Sequence, residues 1–163
     1  MMDERTQEEP RAWDLEGATH RAGFKIEELV EFVRAASPSE EDFGQALSQL
    51  HQALDKAADK VAKKTPAQQD LIGQVDALID TLYFTYGSFV LMGVDPERIF
   101  DIVHQANMGK IFPDGKAHFD PVTHKILKPD DWEEKYAPEP AIKKELQRQL
   151  KAYERHKERN NTQ

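Results

Sequence analysis

Residues 71–94, LIGQVDALIDTLYFTYGSFVLMGV, are an apolar run of helical length whose only charges are Asp76 and Asp80. A helix that is hydrophobic on every side is normally buried on most of them. An ionised carboxylate sits in such surroundings only with a partner, because desolvating the charge is costly even after relaxation. Spaced i, i+4, the two aspartates project from one face, a turn apart. Something positive must meet that face: a basic side chain from another helix, or a divalent metal ion as the leading candidate. Upstream, Glu27, Glu28 and Glu31 form a second carboxylate cluster able to close such a site.

The rest of the composition bounds what surrounds this helix. A chain of 163 residues suits one domain with a core, flanked by tails. Only 39% of residues are hydrophobic and 32% are charged, which fits helices with wide polar faces, or helices that finish their burial in an oligomer. The net charge of −8 argues against a general nucleic-acid or anionic-membrane binder, whose affinity would rest on Lys and Arg. There is no cysteine, hence no disulfide frame, thiolate metal site or cysteine nucleophile. Residues 1–17 are acidic and lack an apolar core, so they do not read as a signal peptide, and the expected location is cytoplasmic. The apolar run is long enough to raise the question of a membrane span. Its two Asp, Gln, two Thr, Ser and three Gly favour a buried bundle helix instead.

The chain divides into an expected polar arm over 1–15, an all-α domain over 16–130, and a linker with a basic helix over 131–163. A first helix runs from about Gly17 to Ala36 and ends at Ser37-Pro38. Ser39 caps the second, roughly Glu40 to Lys64, with Asp42 three residues on as an imperfect capping box. Phe43, Leu47, Leu50, Leu54, Ala58 and Val61 recur there at steps of three and four. Thr65-Pro66 breaks it, and the apolar helix follows from about Ala67 to Met92, stopped by Gly93 and Asp95-Pro96. A fourth helix, Pro96 to about Met108, starts with Pro after an Asp cap. The stretch 111–140, rich in Pro, Gly and Asp, reads as an ordered loop with a small hairpin around Pro113-Asp114-Gly115. A last helix, Pro140 to about Arg159, carries seven Lys/Arg against three Glu and reads as solvent-exposed or an oligomer arm. No alternating strand series exists.

Angular arithmetic sharpens the acidic faces. With Glu27 at zero, Glu31 falls at roughly 40° and Glu28 at roughly 100° around the first helix. Phe24 lies inside that arc and Phe32 just beyond it, while Ile26, Val30 and Val33 form an ordinary core stripe opposite. A purely solvated face seldom interleaves Phe with its glutamates. On the apolar helix the arc of Asp76 and Asp80 continues through Tyr83, Gly87 and Leu91. Tyr83 and Tyr86 read as core aromatics, with Tyr83 bordering the aspartates.

Glu27-Glu28-x-x-Glu31 followed by an acidic pair on a later apolar helix is similar to the all-α nucleoside-triphosphate pyrophosphohydrolases. That superfamily holds the MazG-like enzymes, the dimeric dUTPases and the phosphoribosyl-ATP pyrophosphohydrolases. The segment DALIDTLYFTYGSFVLMGVDPERIFDIVHQANMGKIFPDGK resembles the MazG-like branch, including its Asn-Met-x-Lys and Asp-Gly-Lys elements. The resemblance covers roughly residues 17–130. It implies a four-helix-bundle core completed by oligomerisation, as a homodimer or homotetramer, with Mg²⁺ (or Mn²⁺) held by the two acidic motifs. Glu27, Glu28 and Glu31 match the first motif, and Asp80 matches the last Asp of the second. The family's second motif is commonly Glu-x-x-Asp, whereas Ala77 stands three before Asp80, and Asp76 is the nearest carboxylate. Asn107 and Lys110 match the tail that approaches the nucleotide. Lys116, Lys125 and Lys128 lie on the same loop.

The implied activity is Mg²⁺-dependent hydrolysis of a nucleoside triphosphate, canonical, deoxy or modified, to a monophosphate and pyrophosphate. Hard oxygen ligands suit Mg²⁺, which binds through a few carboxylates plus substrate phosphates. The implied roles are ligation by Glu28, Glu31 and Asp80, with Glu27 or Asp76 as base or further ligand. Glu28 stands at the border of both roles. Lys110 and Lys125 would offset phosphate charge, Asn107 would hydrogen-bond sugar or phosphate, and Tyr83 would border the substrate. Two other classes compete. A di-iron bundle would need Glu-x-x-His on two helices, and no histidine has Glu three residues before it. A non-catalytic helical oligomerisation or adaptor module would pair the carboxylates with bases on other helices.

Overall fold

Helix starts and stops are written into the sequence as caps, and the computed structural model of the chain follows them. It describes residues 9–64, 68–122 and 125–161. The elements are α1 (Leu15–Ala36), α2 (Glu40–Ala62), α3 (Leu71–Met92), α4 (Glu97–Met108), α5 (Trp132–Tyr136) and α6 (Glu139–Asn161). The fold is all-α. Among the described residues, extended pairing is confined to two isolated bridges, Ile111 with Ala117 and Phe119 with Ile126. The chain divides into two compact units, one over 7–78 and one over 79–163, and the division falls within α3, between Asp76 and Asp80.

In the first unit, the Asp14 carboxylate caps α1 by accepting from the Gly17 N–H at 2.7 Å. Gly17 is required there, because a Cβ would run into the Trp13 ring. The Trp13 backbone is fastened in turn to the start of α3. Its N–H donates to Gln74 Oε1 at 2.9 Å, and its carbonyl accepts from Gln69 and Gln74 at 3.1 Å each. Ser39 caps α2: its hydroxyl accepts from the Asp42 N–H and donates to the Asp42 carboxylate, which bonds the hydroxyl where a capping box would bond the Ser39 N–H. α1 and α2 pack as a hairpin. Their half-buried residues include Val30 and Val33 on α1 and Phe43, Leu47 and Leu50 on α2, whereas Ile26, Leu54 and Val61 at the ends of the stripes stay exposed. The expected Thr65-Pro66 break and the Ala67 start of the third helix lie outside the described residues. α3 begins at Leu71, where the Asp70 carboxylate accepts from the N–H groups of Ile72 and Gly73.

In the second unit α3 ends in a Schellman motif: Gly93 takes φ 68°, its N–H donates to Val90, and the Val94 N–H donates to Phe89. Asp95 then caps α4 through the Glu97 N–H. The expected hairpin is present. Gly115 takes φ 79°, and the Phe112 N–H donates to the Lys116 carbonyl across Pro113-Asp114-Gly115.

Three expectations differ from the structure. α3 holds no buried residue: Leu91 is 91% and Tyr83 75% exposed, and Tyr86 is exposed as well. An apolar face is buried only where another surface covers it, and sequence hydrophobicity does not supply that surface. The loop after α4 contains α5, whose Trp132 is 5% exposed. α6 is not simply solvent-exposed, since it packs on α4 and buries Glu145. Polar groups make that contact. Gln149 grips the Asp95 backbone, accepting from its N–H at 3.0 Å and donating to its carbonyl at 2.9 Å. It also donates to Glu145, which Arg148 holds through two hydrogen bonds of 2.7 and 2.6 Å.

Candidate active site

The acidic residues of α1 stand on an exposed helix face. Glu27, Glu28 and Glu31 are all exposed, and Phe24 among them is 40% exposed, edge-on to the His20 ring and beneath the Arg21 guanidinium. Asp76 and Asp80 stand one turn apart on α3 and are exposed too. Among the described residues, Glu28, Glu31, Asp76 and Asp80 form no salt bridge. The partner expected from a basic helix is therefore not supplied by the described part of this chain. The described residues also contain no group of three or more carboxylate or histidine side chains drawn together as a metal cage. Each of these carboxylates is placed by its own helix. As a donor set, oxygen-only and accessible, they fit a hard divalent cation that retains water and substrate oxygens in its shell.

The nucleotide-facing residues suggested by the sequence separate into a built pair and two others. Asn107, on the last turn of α4, accepts from Lys110 Nζ at 2.8 Å through Oδ1 and donates to the Val103 carbonyl at 3.0 Å through Nδ2. One side chain thus serves the helix end and the lysine together. Tyr83 meets only its neighbour Phe84 edge-on. Lys125 is exposed, and its carbonyl accepts from the Asp120 N–H in the second turn of the loop.

Sequence reasoning missed what supports the pair. The Trp132 indole N–H donates to the Ala106 carbonyl at 2.8 Å, a buried bond spanning 26 residues. Lys128 Nζ lies 3.9 Å and Lys110 Nζ 5.8 Å from the centroid of the Trp132 ring. The usable signal was a single Trp in a Pro- and Asp-rich loop. An indole is large and apolar, and packs when a partner for its N–H is near.

Pairs in the second unit hold carboxylates below their ordinary values. Glu145 is held down to about 2, chiefly by its hydrogen bonds from Arg148 and then Gln149, with Arg98 adding to the attraction. The hydrogen bond from His118 holds Asp114 below the usual carboxylate range, helped by the Lys116 backbone N–H. That pair sits in the hairpin, where the His118 ring stacks on Phe112 at 4.2 Å.

Comparison with known proteins completes the picture. The model of the phosphoribosyl-ATP pyrophosphohydrolase family matches residues 1–107, both acidic motifs and Asn107 included. The chain is similar to the crystal structure of a candidate NTP pyrophosphohydrolase from Exiguobacterium sp. 255-15, solved at 1.78 Å. The two are 40% identical, with a TM-score of 0.81, over 91% of this chain and 88% of that one. No curated protein matches. No helix among the described residues is long and apolar enough to cross a membrane. With residues 1–107 matched by the family model and an all-α fold shared with that structure, the chain belongs to the phosphoribosyl-ATP pyrophosphohydrolase family and is a pyrophosphohydrolase.

Proposed function

We propose that the chain hydrolyses a nucleoside triphosphate to a nucleoside monophosphate and pyrophosphate, with Mg²⁺, or Mn²⁺ in its place. The observation that carries this reading is the set Glu28, Glu31, Asp76 and Asp80, accessible and without a basic partner in the described chain, in a member of this family. In the reaction a water oxygen bonds to the α-phosphorus, the P–O bond to the β-phosphate breaks, and pyrophosphate leaves. Bound Mg²⁺ supplies charge neutralisation and a polarised water. Glu28, Glu31 and Asp80 hold it, and Asp76 is the further carboxylate one turn before Asp80. Glu27, or Asp76 where it stands outside the metal shell, takes the proton from the water. Lys110 and Lys125 face the phosphates, Asn107 the sugar or phosphate, and Tyr83 the edge of the substrate.

A second copy of the chain, in a homodimer or homotetramer, completes the core in this reading. The support is the apolar exposure of α3, which no water-facing helix of a monomer would carry at such length. The 39% hydrophobic content agrees with it. An adaptor with no chemistry would leave the carboxylates to ion pairs, and the family assignment favours the enzyme.

The test is a product-resolved screen of the full chain with canonical, deoxy and modified triphosphates and with phosphoribosyl-ATP. Pyrophosphate release is expected only with divalent metal, and Asp80→Asn should lower turnover by about a hundredfold or more. Mg²⁺ should raise the melting temperature of the wild-type chain and not that of Asp80→Asn. A chain that releases no pyrophosphate from any of these substrates sinks the proposal.

A further inference from the structure

Asn107 and Lys110 are carried by the last turn of α4 and the residue just past its cap, and α5 packs on that end of the helix with both of its aromatic side chains. Trp132 is fastened to Ala106 by the indole N–H. Tyr136, one turn further on, lies so close to Gly109 that a Cβ there would overlap its ring. The residue that follows Gly109 is Lys110, so α5 fixes the backbone from which this lysine extends.

The same indole faces two cations. A desolvated indole attracts an ammonium, and that attraction opposes the rotamer freedom of a long lysine side chain. The ring therefore draws Lys110 and Lys128 toward one place, and their Nζ atoms cannot lie more than about 10 Å apart. Two like charges gathered by one ring, in a chain of net charge −8, favour a ligand with several negative charges. Lys128 also donates to Glu133 at 3.0 Å, a carboxylate exposed enough to yield to a stronger anion. Lys110 keeps its bond to Asn107.

We propose that Trp132 is a positioning residue for substrate: its ring presents Lys110 and Lys128 together to the phosphate chain, with Asn107 hydrogen-bonded into the set. The indole touches no substrate and acts through the two lysines. The inference rests on the triphosphate reading above, and it adds Lys128 and Trp132 to the binding machinery.

Three measurements test it on the full chain. Lys128→Met should raise KM about tenfold while kcat stays within about twofold. Trp132→Leu should raise KM by a similar factor, Trp132→Phe should recover most of the loss because it keeps an aromatic face, and the Trp132→Leu/Lys128→Met double should be no worse than about twice either single. In a Trp13→Phe background, Trp132 is the only indole, and its emission should change saturably as pyrophosphate is added. Lys128→Met with a wild-type KM, single effects that multiply in the double, or an emission indifferent to pyrophosphate would each overturn the proposal. If Trp132→Leu does not fold, Lys128→Met and the emission titration decide. If wild-type chain hydrolyses no triphosphate, the triphosphate reading has failed, and the pyrophosphate titration alone decides whether the two lysines form an anion site.

Discussion

The most apolar helix of this protein is uncovered, and one of its most charged helices is docked. α3 contains only two charged residues and buries none of its side chains. α6 is dense in Lys, Arg and Glu, yet it buries Glu145 and packs on α4. Hydrophobicity sets how much a helix gains from being covered, and says nothing of where the covering surface comes from. Polar anchors fix the location. Gln149 satisfies both backbone groups of Asp95 at the turn between α3 and α4, a bond pair that exists in one register only. Directional bonds place α6, while α3 retains an apolar face that a second copy of the chain is proposed to cover.

The sharpest way to break that contrast is to charge the uncovered face. Leu91 is 91% exposed, so in an isolated chain Leu91→Asp should alter stability by no more than about 0.5 kcal/mol. If a second copy covers this face, the buried charge instead splits the assembly. Sedimentation should then show wild-type dimers or tetramers against Leu91→Asp monomers, with pyrophosphohydrolase activity down by about a hundredfold. A monomeric wild type, matched by a fully active Leu91→Asp, would remove the second copy from the account.

Glu145 tests the other side of the contrast with a smaller effect. Glu145→Gln leaves Arg148 facing a neutral amide at a buried position, and the melting temperature should fall by roughly 5 °C. The pH dependence has a definite sign. The folded carboxyl titrates at about 2 against an ordinary 4.5, so the folded state favours the ionised form. Its contribution is present above about 4.5 and is lost as pH falls toward about 2. Wild-type stability should decline across that window more steeply than that of Glu145→Gln, as followed by thermal melts at stepped pH. Parallel acid limbs in the two proteins would show that Glu145 does not anchor α6.

Much of the fold is legible locally because caps and turns are local chemistry. Ser39, Asp95, Gly93 and Gly115 each do what their position in the sequence says, while Asp14 starts α1 ahead of the expected Gly17. α5 was not legible: five residues give no period to read, and Trp132 is held by a carbonyl 26 residues away. The docking of α6 was hidden for a related reason, since its contact is written in Glu145 and Gln149 rather than in an apolar stripe. For the candidate site, helical spacing settles which carboxylates share a face: Glu27, Glu28 and Glu31 on α1, Asp76 and Asp80 on α3. Which faces meet depends on contacts between elements, and spacing along one helix carries no information about those. The Asn107–Lys110 bond, by contrast, was within reach, because three residues separate its ends.

The smallest expected effect isolates burial from geometry. Arg34 grips Glu40 as Arg148 grips Glu145, through two hydrogen bonds to one carboxylate, and its guanidinium also lies 4.8 Å from the centre of the Phe43 ring. The hydrogen bond from Arg34 holds Glu40 below its ordinary value, the same direction as at Glu145. The difference is solvent: the side chain of Glu40 is 81% exposed, and that of Glu145 is 9% exposed. Water and salt screen the outer pair, and fixing two long side chains offsets most of what remains. Glu40→Gln should therefore leave the melting temperature within about 1 °C of wild type at physiological ionic strength, while Glu145→Gln lowers it severalfold more. Equal shifts from the two substitutions would mean that bidentate geometry alone sets the strength of these pairs, and the anchoring of α6 would then need a cause other than the burial of Glu145.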